Sequence, residues 1–186
     1  MDDAMLRETY LSGETIYDGA VVHLERWQVS LPNGGTAARE VVKHIGAAAV
    51  VPIDADGYIT LVRQHRVAID EMTWEIPAGK LDQPDEDPLL CAKRELEEET
   101  GLNAEHWRLL NRVITTPGFC TERISIYLAT GLSQHAAHTD PDEFLFTKRI
   151  PFADALKMVD RGELTDQKTA VGILMAARVL SGEADR

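Results

Sequence analysis

Between Ala20 and Leu31 the chain alternates, with His23, Glu25, Trp27 and Val29 set against Leu24, Arg26 and Gln28. That period of two predicts a half-exposed strand. Similar runs at Glu14–Tyr17 and Thr36–His44 predict two more strands, and Pro32-Asn33-Gly34-Gly35 predicts a hairpin between the last two. Residues 1 to about 13 are polar and read as an irregular arm. Three strands with no covering layer of their own leave Trp27 and Val29 in need of a partner surface, for which a second copy of the chain is the expected source.

Further along, Ala47–Ile53 and Tyr58–Arg63 flank Asp54-Ala55-Asp56-Gly57, which predicts a second hairpin. Met72–Ile76 reads as a short strand running into Pro77-Ala78-Gly79. Trp107–Ile114, Ile124–Ala129 and Phe144–Ile150 read as strands, and Ser133–Asp142 as a polar irregular stretch. Pro151–Asp160, closed by Gly162, and Asp166–Leu180 read as helices. Strands mixed with helices in this order predict a mixed sheet with helices packed on it, an α/β fold. The expected division is residues 1–44 as an N-terminal arm and sheet and 45–186 as the main domain.

The helix expected between Asp87 and Gly101 carries the unusual chemistry. Asp87-Pro88 is a start signal, a capping carboxylate followed by the residue whose missing N–H costs nothing in the first turn. Gly101-Leu102 is a stop signal. Leu89, Ala92 and Leu96 form the apolar stripe, while Glu95, Glu98 and Glu99 stand as neighbours at i, i+3 and i+4. Like charges repel there and oppose the helix dipole, each by a few tenths of a kcal/mol, roughly. An acidic surface helix is the bland account. The sharper one is a hard divalent cation that neutralises the cluster, Mg²⁺ being the natural choice for carboxylate and phosphate oxygens.

Composition narrows the options. The 186 residues, 44% hydrophobic, are enough for one substantial core. A formal charge of −12 speaks against a nucleic-acid surface, and an anionic substrate would need metal ions and a few placed Arg or Lys. Cys91 and Cys120 are spaced for neither a disulfide framework nor a zinc site. The start MDDAMLRETY lacks the features of a signal peptide, and the apolar run Ala47–Ile53 is too short to cross a bilayer, so a cytoplasmic protein with no membrane partner is expected. Dinucleotide, P-loop and serine-hydrolase glycine motifs are missing from the sequence.

Gly79, Glu86, Arg94, Glu95, Leu96, Glu98, Glu99, Gly101 and Leu102 together resemble the Nudix box, Gly-x5-Glu-x7-Arg-Glu-U-x-Glu-Glu-x-Gly-U with U aliphatic. The match from Glu86 onward is complete. Six residues rather than five separate Gly79 from Glu86, an insertion placed in a turn. The runs REVVKHIGAAAVVP, LVRQHR, WEIPAGKLD and TPGFCTERISIYLA extend the likeness over residues 14 to 180 and resemble the ADP-ribose pyrophosphatase branch.

That resemblance implies a Nudix-type α/β/α sandwich with a mixed sheet, plus a small N-terminal antiparallel β-sheet for dimerisation. It implies hydrolysis of ADP-ribose to AMP and ribose 5-phosphate with Mg²⁺, or Mn²⁺, as cofactor. Glu95 and Glu99 are the implied metal ligands, with Glu98 assisting in ligation and catalysis and the Ala78 carbonyl completing the set. Glu86 and Arg94 would pair and brace the loop; Glu97 would face solvent. Arg39 and Arg66 would grip the diphosphate and its flanking groups, Glu122 the ribose, and Trp27 would stack on adenine or fill a dimer interface. Asp140, Asp142 and Glu143 are the implied candidates for the catalytic base, Glu143 first. Trp74 is assigned to the core. Another nucleoside diphosphate-X substrate, such as a nucleotide sugar, and a sensor that binds ADP-ribose without cleaving it are the alternatives.

Overall fold

The computed structural model describes residues 3–135 and 144–182. The chain divides into two compact units, Met1–Gly46 with Ile114–Arg123, and Ala47–Val113 with Ile124–Arg186.

The first unit is built on an antiparallel sheet of β1 (Thr9–Asp18), β2 (His23–Ser30) and β3 (Thr36–Lys43), in that order, after a single 3-10 turn at Asp3–Leu6. Strand β1 starts at Thr9, inside what the polarity of the arm marks as irregular. Every residue of β1 is exposed, so neither face imposes an alternation that periodicity could detect. In β2 the alternation has its expected consequence at Val29, which is buried. The segment after residue 114 adds to β3: Val42 N–H donates to the Phe119 carbonyl at 2.7 Å and Thr121 N–H to the Val42 carbonyl at 3.0 Å.

The second unit holds β4 (Ala47–Pro52), β5 (Tyr58–Arg66), β6 (Glu71–Glu75), β7 (Ala78–Lys80), α1 (Pro88–Thr100), β8 (Leu102–Ile114), β9 (Arg123–Gln134), β10 (Phe146–Pro151), α2 (Phe152–Asp160) and α3 (Gln167–Leu180). One sheet has the order β7-β4-β9-β8 and the other β10-β5-β6. In the first, β4 runs parallel to β9, with Ala47 opposite Ile124, and antiparallel to β7, with Ala48 opposite Gly79.

The hairpin expected between β4 and β5 is not formed. The turn itself is real, with Gly57 at φ 79° and its N–H bonded to the Asp54 carbonyl. Beyond it only Ile53 and Ile59 make a bridge, and β5 pairs with β6 and β10 instead. A strand has two edges, and those of β4 are taken by β7 and β9.

Strand β4 is the centre of the sandwich, because both its faces are covered. Ala49, Val51 and Ile53 join Ile126 and Leu128 of β9 and residues of α2 and α3 in the main core. Gly172 of α3 lies so close to Val51, Ile76 and Ile126 that an added Cβ would meet them at 2.9–3.2 Å. Ala48 and Val50 point the other way, where α1 packs with Cys91, Ala92 and Leu96 fully buried. A strand buried on both sides reads as an unbroken apolar run, as Ala47–Ile53 does. Each such Val, Ile or Leu contributes about 1.5–3 kcal/mol by leaving water. The fold is a mixed α/β sandwich with an additional N-terminal three-stranded sheet, as expected.

Strands β8 and β9 run further than the apolar pattern predicts, from Leu102 and to Gln134, and their extensions contain no fully buried residue that would mark a core face. No helix among the described residues is long and apolar enough to cross a membrane.

Candidate active site

Helix α1 is held at both ends as its sequence predicts. The Asp87 carboxylate accepts the Leu89 N–H at 2.9 Å, Pro88 follows, and Gly101 closes the helix in the left-handed conformation at φ 68°. The apolar stripe docks on β4 and fixes the rotation of the helix, which turns Glu95 and Glu99 toward β7. Both are buried, 7% and 3% exposed. The Ala78 N–H donates to Glu99 Oε2 at 3.1 Å. Gly79 faces Glu95 so closely that a Cβ there would lie 2.1 Å from the carboxylate. The Pro77 carbonyl accepts from Val50, which anchors this backbone to β4.

Arg94 is the counter-ion within the cluster. Its guanidinium lies 2.7 Å from Glu95, 3.1 Å from Glu98, 3.5 Å from Asp82 and 4.0 Å from Glu86. Four carboxylates around one guanidinium leave a surplus of negative charge, and Arg94 Nε is buried without a hydrogen bond. The Arg94 pKa is driven further up: burial opposes this, but the charges of Glu95 and Asp82 outweigh it. Glu86 accepts the Asp82 N–H at 2.6 Å, a bond within the acidic turn. Its contact with Arg94 is the longest of the four.

The carboxylates of Glu95, Glu98 and Glu99 are hard oxygen donors, suited to Mg²⁺ or Mn²⁺ and not to zinc or copper. Among the described residues, no three acidic, His or Cys side chains converge as a ready cation cage. Arg94 Nη1 bridges Glu95 and Glu98, and the Ala78 N–H engages Glu99.

Arg66, at the end of β5, is gripped by Glu75, to which no motif in the sequence gives a role. Its Nε and Nη2 donate to the two oxygens of Glu75, each at 2.7 Å. Glu75 is 2% exposed and also receives Lys168 Nζ and the Thr73 hydroxyl. Burial alone would push its pKa up; the Arg66 hydrogen bonds and the charge of Lys168 prevail and bring it to about 2. The available signal was an acid between Trp74 and Ile76 in an apolar strand. Trp74 itself is half-buried against the core, edge-on to Phe146.

In the first unit, Trp27 and Arg39 are directly opposed on β2 and β3. They line a cavity of about 410 Å³ with Glu8, Tyr10, Phe119 and Cys120 among its other walls. Tyr10 meets the Trp27 ring edge-on, and Arg39 is paired with Glu8. Glu122 lies outside this wall, 3.6 Å from His44 Nε2. The candidate bases Asp140, Asp142 and Glu143 lie outside the described residues.

A model of the NUDIX domain matches residues 43–170. The chain belongs to the Nudix family. Among curated relatives, the ADP-ribose pyrophosphatase of Mycobacterium tuberculosis is 42% identical over 94% of this chain and 85% of its own. The methanol dehydrogenase activator of Bacillus methanolicus is 40% identical over 91% of this chain and 92% of its own. A solved structure described as an ADP compounds hydrolase superposes with a TM-score of 0.84 at 23% identity, covering 96% of this chain and 97% of that one, and shows the fold. The chain is thus a Nudix pyrophosphohydrolase by family.

Proposed function

We propose that this Nudix enzyme hydrolyses the diphosphate of ADP-ribose, giving AMP and ribose 5-phosphate, with Mg²⁺ (or Mn²⁺) as cofactor. The observation that carries the proposal is the pairing of the buried Glu95 and Glu99 with the Ala78–Gly79 backbone, combined with the ADP-ribose pyrophosphatase name of a relative 42% identical. When bound, the divalent cation neutralises phosphate charge and acidifies water. Glu95, Glu98, Glu99 and the Ala78 carbonyl hold it, while Arg94 and Glu86 keep the acidic turn against the helix. Arg66 takes a phosphate oxygen. Trp27, Arg39 and Glu122 contact the nucleoside and ribose side of the substrate, and Glu143 or Asp142 accepts the proton of the attacking water.

The N-terminal unit serves as a dimerisation element in this reading. The support is β1, every residue of which is exposed, Tyr10, Leu11, Ile16 and Tyr17 among them. A cytoplasmic location and substrates free of nucleic acid and membrane belong to the same proposal.

The test is a panel of ADP-ribose, nucleotide sugars and other nucleoside diphosphate compounds, assayed for phosphatase-sensitive product with Mg²⁺ and with EDTA. Release of AMP from ADP-ribose above the other compounds, lost in EDTA, is the expected result. Activity that survives EDTA would sink the proposal. A second reading, another nucleoside diphosphate-X as substrate, is favoured by one observation: a relative from Klebsiella pneumoniae, 32% identical over 69% of this chain, carries the name GDP-mannose pyrophosphatase. Tight retention of uncleaved ADP-ribose with Mg²⁺ would instead indicate a sensor.

A further inference from the structure

Glu75 and Lys168 are 93 positions apart and meet beneath the site. Lys168 stands in the first turn of α3, only 11% exposed, with Nζ donating to Glu75 and, at 3.0 Å, to Asp166. The same turn is fixed from within. Asp166 accepts from the Thr169 N–H at 2.9 Å and the Thr169 hydroxyl at 2.6 Å, and the Ile76 N–H donates to Thr169 Oγ1 at 2.9 Å. The start of α3 is therefore bonded to the backbone two residues before Ala78.

The consequence lies in how Glu75 is held. Arg66 occupies both its oxygens, Lys168 adds a second cation to Oε2, and Thr73 adds a hydroxyl to Oε1. A carboxylate bonded on every side cannot turn about its axis. A guanidinium carries five N–H donors in a rigid fork. Two of those on Arg66 are spent on Glu75, and among the described residues its Nη1 donates to no protein acceptor. The Arg66 side chain remains 44% exposed, so the edge of the fork that Glu75 does not occupy is open to a ligand. That edge matches the paired oxygens of a phosphate.

We infer that Lys168 is a positioning residue for the diphosphate: by fixing Glu75 from the first turn of α3, it holds Arg66 with its open edge set to receive a phosphate oxygen. This rests on the proposed diphosphate substrate. Without Lys168, Glu75 would still pair with Arg66 but could swing, carrying the guanidinium with it.

The test compares Lys168→Met, Lys168→Arg, Arg66→Ala and the double variant Arg66→Ala/Lys168→Met, using whichever nucleoside diphosphate the wild type turns over best. Lys168→Met is expected to raise KM about tenfold while kcat changes less than about threefold. Lys168→Arg should restore most of the loss. In the Arg66→Ala background, Lys168→Met should add nothing, because its effect passes through Arg66. Equal, additive losses in both backgrounds, tracking a fall in Tm, would show a merely structural role and overturn the inference.

An arm independent of turnover follows the Arg66 Nε–H resonance by NMR during titration with inorganic pyrophosphate in saturating Mg²⁺. The wild type should respond, and Lys168→Met should weaken the apparent affinity about tenfold. An unchanged affinity overturns the inference even if the enzyme is active. A wild type that cleaves no nucleoside diphosphate refutes the proposed substrate class, and the pyrophosphate titration still decides the role of Lys168.

Discussion

Gly79 and Glu95 share one small space: a Cβ on residue 79 would sit 2.1 Å from both the carboxyl carbon and one oxygen of Glu95. The obstacle is the far end of a flexible side chain, so Gly79→Ala can be accommodated if the carboxylate swings away. Displacement of a side chain to a poorer rotamer costs on the order of 1 kcal/mol. The functional cost is larger, because Glu95 leaves the position from which it is proposed to hold the metal. Gly79→Ala is therefore expected to retain a cooperative melt within a few degrees of wild type while losing activity by about two orders of magnitude or more. Differential scanning calorimetry beside the hydrolysis assay separates the two effects.

Glu98→Gln and Glu99→Gln test the acidic cluster directly. An amide oxygen in place of the Glu99 carboxylate can still accept the Ala78 N–H, so the fold should persist. A neutral amide is a far poorer ligand for Mg²⁺. Turnover should fall by orders of magnitude in both variants, and the Mg²⁺-dependent rise in Tm should shrink. Wild-type turnover in both would remove these residues from the site.

Helix α1 was legible because its signals are local. Asp87-Pro88 and Gly101-Leu102 mark its ends, and spacing within one helix decides which face a carboxylate occupies. The rest depends on contacts that no short window contains. Asp54–Gly57 is a true turn, yet a turn does not decide whether its flanking strands pair, and here β7 and β9 had claimed both edges of β4. The exposed β1 lacks any periodicity to read. Lys168 and Glu75 are joined only by the fold; Glu75 stands out in sequence as an acid in an apolar strand, whereas Lys168 alone is an ordinary charged residue.

The Glu75 network makes stability depend on acid. The folded pKa of this carboxyl is about 2, against an ordinary value of 4.5. The native state therefore binds its proton less readily than the unfolded chain. The sign follows: its contribution is fully present above about pH 4.5, declines as the unfolded state takes up the proton, and is gone below about pH 2. The shift corresponds to about 3 kcal/mol, taking about 1.4 kcal/mol per unit. Denaturant unfolding of the wild type should weaken steeply between pH 4.5 and 2. Glu75→Gln should be less stable at pH 7 and show a flatter profile in that window; matching slopes would refute the assignment.

Cys91 and Cys120 should differ sharply toward thiol reagents. Cys91 is fully buried on α1, with its thiol facing the carbonyls of Gly79 and Lys80 at 3.6 and 3.5 Å. Burial, and then the charge of Glu95, push its pKa up to about 12. At pH 8 the thiolate, the reactive form, would be about one part in ten thousand. Cys120 is partly exposed beside the Trp27 cavity. Under native conditions a maleimide should label Cys120 alone, and Cys91 should follow only at the rate at which α1 detaches from β4. Labelling of both thiols at equal rates in the folded protein, read by mass spectrometry of the peptides, would contradict this packing of α1. Protection of Cys91 that falls in Gly79→Ala would tie the seating of α1 to the same contact that positions Glu95.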